Sequence, residues 1–554
     1  MKKTLLSLIS LCLMFILIFT ANGYILGDIN IDNKITALDA RFVLRASVGL
    51  DDGLTEEQLL AADVDGKPGL TANDARMILR ASVGLENLHV HKYGEWNIKK
   101  DATCENKGLR ECACDCGDTL SEEIPADEHN FENDICVYCN KNISDVLPRL
   151  YFTGNISGMT SKSDVRNIEI KYSYGAESFE GFATLKLQGS SSLAYEKKNY
   201  TINFFEDEAH DDKLKVDVGW GKQNKYCLKA NWVDKTHSRN IVTANLVTEM
   251  QKKYGLLEEA PANGAIDGFP IEIYSNGEFL GIYTFNIPKD EWMFNMDKNN
   301  PDHLVFCGEN WSPGTYFTAA PDFSTWAIEV GEENQESLDK LNKLFDFIIN
   351  SSDAEFKEQF EEHLNLDATL NYYIMANFAY LQDNLGKNML LVTYDGELWY
   401  PSLYDLDTSW GTDWNGKSLV DYKNNSTPFG VSNLWIRFKS AFSNELSDRY
   451  FELREDILSY DNVMSKFEDF KASIPEETFE KEIARWGTNI PGFDISQIEE
   501  YLEFTITKLN AEYAEMKAPD IEDDPSTEEE STTEEESSAE EESSADIEST
   551  TQTA

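Results

Sequence analysis

Apolar residues alternate through several stretches in the middle of the chain, and recur at three- and four-residue spacing in the stretches that follow. TLKLQGSSSLAYEKKNYTINFF reads as a strand, a Gly/Ser turn and a second strand, and KYCLKANWV as another strand. PIEIYSNGEFLGIYTFNI predicts a hairpin, because Asn276-Gly277 readily adopts the positive φ that a two-residue turn needs. Leu338, Leu341, Leu344, Phe345 and Ile348 fall on one helical face. Tyr372 to Leu381 is apolar enough for a buried helix and stops just before Asp383. Residues 147–517 therefore read as one α+β unit, a strand-rich half followed by a helix-rich half, with polar candidates on the loops.

Both ends depart from these periods. Lys2 and Lys3, an apolar run from Leu5 to Phe19 and then Thr20-Ala21-Asn22-Gly23 have the order of a secretory signal, assigned to 1–23. Left uncleaved, that run approaches the length of a membrane anchor; no second run does. An extracellular or cell-surface location is expected, where disulfides persist. At the other end, residues 518–554 alternate Glu runs with Ser and Thr and contain no Lys or Arg beyond Pro519. Such a segment buries too little apolar surface to offset its ordering entropy and reads as a disordered acidic tail, with hydroxyls that are candidate phosphate acceptors. The net charge of −52 over 554 residues argues against a nucleic-acid partner.

Residues 24–88 contain a repeat. Asp28, Asn30, Asp32, Thr36 and Asp39 lead into ARFVLRASVGL; thirty-five positions on, Asp63, Asp65, Thr71 and Asp74 lead into ARMILRASVGL. Oxygen side chains at positions 1, 3, 5, 9 and 12 of a twelve-residue loop suit Ca²⁺. In the second loop Lys67 occupies position 5, so that site is expected to be weaker. The pair of loop–helix units resembles the small all-α dockerin module with two EF-hand-like calcium loops. That resemblance implies a cohesin domain of a scaffoldin as partner, as in a cellulosome.

Residues 89–146 hold Cys104, Cys112, Cys114, Cys116, Cys136 and Cys139, with His89, His91 and His129 among them. Cys136-Val-Tyr-Cys139 has the spacing of a zinc half-site, and Cys112 to Cys116 offers another. A disulfide-stapled mini-domain fits equally well. The segment also resembles a Cys/His repeat of Gram-positive surface proteins, and a structural spacer is the expected role.

The candidate chemistry lies between Leu381 and Gly411. Asp383 and Asn388 have the Asp-x4-Asn spacing of the protein-kinase catalytic loop, and Asp405-Leu-Asp407 follows. Phosphoryl transfer needs these types: a carboxylate for the acceptor proton, and an amide and further carboxylates for the magnesium ions on ATP. LQGSSSLAYEKKNYTINF, LKANWVDKTHSRN, NGEFLGIYTFNIPKDE, QDNLGKNMLL and YDLDTSWG occur in this order in the CotH family, and the main domain resembles these spore-coat kinases of atypical, bilobal protein-kinase-like fold. The resemblance implies Asp383 as the catalytic Asp, and Asn388 and Asp405 as ligands of Mg²⁺ (or Mn²⁺), with Asp407 assisting. It puts the Gly189-Ser190-Ser191-Ser192 turn near the phosphates. Lys198 is the expected phosphate-pairing lysine, Lys197 the alternative, and Arg239 and Asp234 support the site. One departure is Phe285-Asn286-Ile287, where relatives carry a Glu; Asn286 would weaken a contact to the lysine or the metal.

Gly411 to Ser418 fits the P-loop expression literally, but Pro428 lies in the run that follows and Asp413 would repel phosphate, so it is read as chance. Three functions follow in order: a secreted, dockerin-bearing CotH-like Ser/Thr kinase acting on extracellular or cellulosomal proteins, including its own tail; a non-catalytic structural or adhesion component of a cellulosome; and a polysaccharide-active enzyme.

Overall fold

The computed structural model describes residues 25–517 apart from 51–52, 67–68, 89–92, 105, 115–116, 125, 127–128, 418–427 and 488–493. The expected signal segment, the acidic tail, Lys67, His89, His91, Cys116 and Ser418 lie outside the described residues.

In the repeat, helices Ala37–Ser47 and Ala72–Ser82 pack together around Ile29, Val43, Val64 and Ile78. Each helix starts on the Thr expected at loop position 9. Thr36 and Thr71 form capping boxes with Asp39 and Asp74, so their hydroxyls serve the helix N-terminus. Asp39 Oδ1 accepts from the Ile29 and Asn30 amides at 3.0 and 3.2 Å, and Asp74 Oδ1 accepts from those of Val64 and Asp65, both at 3.0 Å. The same Asp thus pins loop to helix in both copies. In the first loop Asp28 takes the Asp32 and Asn33 amides at 3.1 and 2.7 Å, and Asn30 donates to Asp32. In the second loop, carboxylate oxygens of Asp63, Asp65 and Asp74 come within 4.8 Å of one another.

The cysteine-rich module is a three-stranded antiparallel sheet, β1 (Asn97–Lys100), β2 (Gly108–Ala113) and β3 (Thr119–Ile124), with a hairpin of β4 (Phe131–Glu132) and β5 (Ile135–Cys136). The expected half-site Cys136 and Cys139 forms one side of a four-residue cluster. Cys112 sits buried on β2, while Cys104 and His129 face Cys136 and Cys139.

The strand-rich half closes into a seven-stranded barrel. Its strands are β6 (Arg149–Thr153), β7 (Val165–Tyr174), β8 (Glu177–Gln188), β9 (Asn199–Phe205), β12 (Lys225–Lys229), β13 (Gly268–Ser275) and β14 (Glu278–Asn286), with the small ribbon β10 (Val216–Asp217) and β11 (Lys222–Gln223) beside them. The order β12-β14-β13-β6-β7-β8-β9 closes through β9–β12, and β6–β13 is the parallel pair. The period of two sorts each strand: Ala183, Leu185 and Leu187, Tyr200, Ile202 and Phe204, and Tyr226 and Leu228 fill the barrel. Asn199, Thr201, Lys225, Cys227 and Lys229 consequently point outward. The hairpin expected at Asn276-Gly277 is β13–β14, with Asn276 at φ +51°.

The second half has a sheet of its own, which the helical reading did not anticipate. β15 (Leu304–Gly308), β16 (Trp326–Val330), β17 (Met389–Thr393) and β18 (Trp399–Leu403) run antiparallel in the order β16-β15-β17-β18. Helix Leu366–Phe378, capped by Asn365, is buried on nearly every side and delivers the chain to Asp383. Among the described residues, no helix is long and apolar enough to cross a membrane.

One late helix, Glu476–Trp486, returns to the barrel. Its Glu482 takes Lys197 Nζ at 2.5 Å and the Ile282 amide at 2.8 Å, and both charged side chains are fully buried. Lys197 Nζ also donates to the carbonyls of Ala230 and Ile282. Gly281 makes room for the pair: a Cβ there would lie 2.7 Å from Lys197 Cε and 2.8 Å from Glu482 Oε2. Glu482→Ala strands a buried ammonium and is expected to cost about 3–5 kcal/mol in urea unfolding. The double change Lys197→Met with Glu482→Leu is expected to cost less, since no charge is left unpaired.

Candidate active site

The barrel's outer face and the second sheet enclose a cleft of about 740 Å³, within the roughly 300–1,000 Å³ usual for small-ligand sites. The barrel contributes the end of β8, the turn Gly189–Ser192, Asn199 and Thr201 of β9, and Lys225, Cys227 and Lys229 of β12. Gly189 is required by the turn: φ is +103° and a Cβ would sit 1.8 Å from Ser192 Oγ. The opposite wall carries Asp383, Lys387, Asn388, Tyr404, Asp405 and Asp407. Trp311 and Trp414 stand at the lining with 45% and 67% of their surface exposed.

The sheet explains why residues distant in sequence meet. Asn388 immediately precedes β17 and Tyr404 follows β18, and the two strands pair with Met389 opposite Leu403. Asn384 links the loops further, its Nδ2 donating to the Tyr404 carbonyl at 2.7 Å and the Asn388 carbonyl at 3.4 Å. Asn388 and Asp405 both adopt left-handed backbone, φ +59° and +60°. For non-glycine residues this conformation is uncommon and tends to occur where the surroundings over-determine it. Here the Asn388 amide bonds the Gly308 carbonyl at 2.7 Å, and the Leu406 amide bonds Asn240 Oδ1 at 2.9 Å.

The structure brings Asp383, Asn388, Asp405, Asp407, Gly189, Ser190 and Ser191 to this one cleft. It does not bring Lys198, Lys197 or Arg239 to its wall. Lys198 Nζ turns away to the Leu193 carbonyl at 2.7 Å. Lys197 lies before β9 begins and is consumed by Glu482, so strand alternation does not govern either lysine. Arg239, buried, is a clamp beneath the site: it pairs with Asp234 and donates to the Ser409 carbonyl at 3.2 Å and Gln497 Oε1 at 2.7 Å. It thereby holds the loop that carries Asp405 and Asp407.

The cation facing the carboxylates is Lys229, only 12% exposed, with Nζ 3.3 Å from Asp405 Oδ1. Its signal was present in the sequence: Lys225, Cys227 and Lys229 share one strand face, opposite Tyr226 and Leu228. Lys289, paired with Glu329 at 2.6 Å, and Lys387, 3.1 Å from Asp383 Oδ2, are further cations of the lining.

Burial opposes the charge on Asp405, but Lys229, then Lys289 and Lys387, hold its carboxyl below the ordinary range. Asp407 goes the other way. Burial and the neighbouring Asp405 charge push it up to about 8, against the pull of Lys229. Two hard carboxylates, one of them unable to ionise readily without a cation, form a donor set suited to Mg²⁺ or Mn²⁺ together with the Asn388 amide oxygen. Gly411–Lys417 is a turn in which Asp413 Oδ1 accepts the Asn415 and Lys417 amides, and among the described residues no strand leads into it as one would into a phosphate loop. Asn286 is buried with neither amide atom hydrogen-bonded.

A family model described as CotH kinase protein matches residues 185–540, well over half of the chain. No curated protein matches it.

Because a proton on Asp407 must leave before a cation binds there, divalent-ion affinity at the cleft should rise as pH increases through about 8. Calorimetry of wild type against Asp405→Asn isolates this site, and a pH-independent difference would contradict the cluster's coupling. The same shift has a stability consequence in metal-free protein. The native state keeps a proton that the unfolded chain loses near 3.8, so this contribution is present at low pH and lost as pH rises through about 8.

Proposed function

Since the chain belongs to the CotH kinase protein family, we propose that it is a secreted protein kinase that transfers the ATP γ-phosphoryl to Ser or Thr hydroxyls of extracellular proteins. The observation that carries this reading is the convergence of Asp383, Asn388, Asp405 and Asp407 with Lys229 on one cleft beneath the Gly189–Ser192 turn. Bound Mg-ATP supplies the transferable phosphoryl group and an activated leaving group. Asp383 would accept the proton of the acceptor hydroxyl as that oxygen bonds to the γ-phosphorus and the bond from that phosphorus to the β,γ-bridging oxygen breaks, releasing ADP. Asn388 and Asp405 would hold the metal, with Asp407 assisting once deprotonated. Lys229 takes the phosphate-pairing role first expected of Lys198, and the Gly189 turn covers the phosphates through backbone N–H groups. The acidic Ser/Thr tail is a candidate self-substrate.

Asp383→Ala should abolish phosphate transfer from γ-labelled ATP while Mg-ATP still raises the melting temperature. Lys229→Ala should weaken that thermal shift, and Lys198→Ala should leave it intact. Equal labelling by Asp383→Ala and wild type would overturn the assignment. Asn286 favours a second reading, a non-catalytic scaffold component: its amide is unpartnered where a Glu was expected from relatives. No Mg-ATP-induced stabilisation of wild type would select it.

The repeat at residues 25–88 supports a tethering role, as a calcium-dependent dockerin that binds a cohesin of a cell-surface scaffold. Asp39 and Asp74 lock loop to helix there, and the acidic cluster of the second loop suits a hard cation. Calcium removal should lose hydrogen-exchange protection in the two repeat helices while leaving barrel strands protected; unchanged protection of the repeat would refute calcium-dependent folding.

A further inference from the structure

The best-formed metal-type ligand set outside the cleft is in the cysteine-rich module. Cys104, Cys136 and Cys139 sulfurs and a His129 ring nitrogen all lie within 4.8 Å of one another. Cys104 Sγ is 3.8 Å from Cys136 Sγ, and His129 Nδ1 is 3.4 Å from the sulfurs of Cys136 and Cys139. A disulfide would require about 2.05 Å. Two sulfurs about 2.3 Å from a tetrahedral zinc stand about 3.8 Å apart, and a sulfur and an imidazole nitrogen about 3.6 Å apart. The spacing therefore matches ligation and not oxidation. Cys104 and Cys136 are buried, so solvent would not take a fourth position.

We propose that these four residues form a closed, structural Cys₃His zinc site that clamps the module to the barrel. On binding, the three thiols release their protons to solvent, leaving a zinc–trithiolate–imidazole centre with net charge −1. Arg149, on the first barrel strand, lies against this centre. Its Nη1 donates to the Cys104 carbonyl at 3.3 Å, its Nε to Glu272 Oε2 at 2.8 Å, and Nη2 is 3.2 Å from His129 Nε2. Zinc on Nδ1 puts the ring proton on Nε2, so that last contact lengthens while the other two persist. Glu272 Oε1 accepts from Thr478 at 2.9 Å, and Lys141 pairs with Glu477, both on the helix that delivers Glu482 to Lys197. The site thus braces β6 and the helix Glu476–Trp486 from outside the cleft.

Elemental analysis of the full chain, in excess calcium and magnesium so that oxygen-ligand sites hold their own ions, should find one zinc per chain. Cys136→Ser and Cys139→Ser should lose it, and Cys112→Ser should keep it. If the ligand variants fail to fold, cobalt substitution of wild type decides, through tetrahedral d–d absorption with sulfur-to-cobalt charge transfer. Stripping zinc should speed hydrogen exchange in residues 149–153 roughly tenfold or more. Retained zinc in the double variant, a cobalt spectrum without sulfur charge transfer, or a Cys104–Cys136 or Cys136–Cys139 disulfide in the non-reduced peptide map would overturn the site. Unchanged exchange in 149–153 would overturn the clamp.

Discussion

Carboxylates gathered at one cleft set the terms for the structure around them. The Asp405 charge, and less so that of Asp383, opposes ionisation of Asp407, while Lys229, Lys289 and Lys387 favour the charge on Asp405. Even so the balance is incomplete, since Asp407 is held toward its protonated form. A site of this kind is poised for a divalent ion, which would reverse the repulsion that the protein alone only partly offsets.

Much of the surrounding architecture can be understood as the support such a cluster needs. The barrel presents Lys229 because its alternate residues, Tyr226 and Leu228, are committed to the core. The sheet of the second half juxtaposes Asn388 and Tyr404, and Asn384, Asn240 and Arg239 fasten the two acidic loops to neighbouring backbone. These polar anchors let two non-glycine residues keep left-handed backbone. Behind the barrel, the Lys197–Glu482 pair ties a late helix to strands laid down almost three hundred residues earlier. The cysteine-rich module reaches the same helix through Glu272 and Lys141, so the two buried charge networks bear on one element.

Local pattern made much of this readable. Alternation located β8, β9, β12 and the β13–β14 hairpin, and the apolar run before Asp383 marked the helix that delivers it. The kinase-like spacing and Asp405-Leu-Asp407 pointed to residues that do share a cleft. Lys197 and Lys198 precede β9, which begins at Asn199, and both bond away from the cleft wall, so the lysine that faces Asp405 is visible only in the fold. That Arg239 and Asp234 support the site as a buried pair, and not at the cleft wall, is visible only in three dimensions. The strands β15 and β17 are not legible in the sequence because short, wholly buried apolar runs carry no period.

The sequence by itself determined several barrel strands, the helix before Asp383, the repeated loop–helix unit and the residue types able to manage phosphate and metal, because these depend on side-chain period and chemistry within a short window. Tertiary structure decided which cation faces Asp405, which sulfurs meet His129 and that the early strands close into a barrel. Those outcomes depend on pairings across long stretches of chain, where burial makes an unpaired charge or polar group too costly to leave.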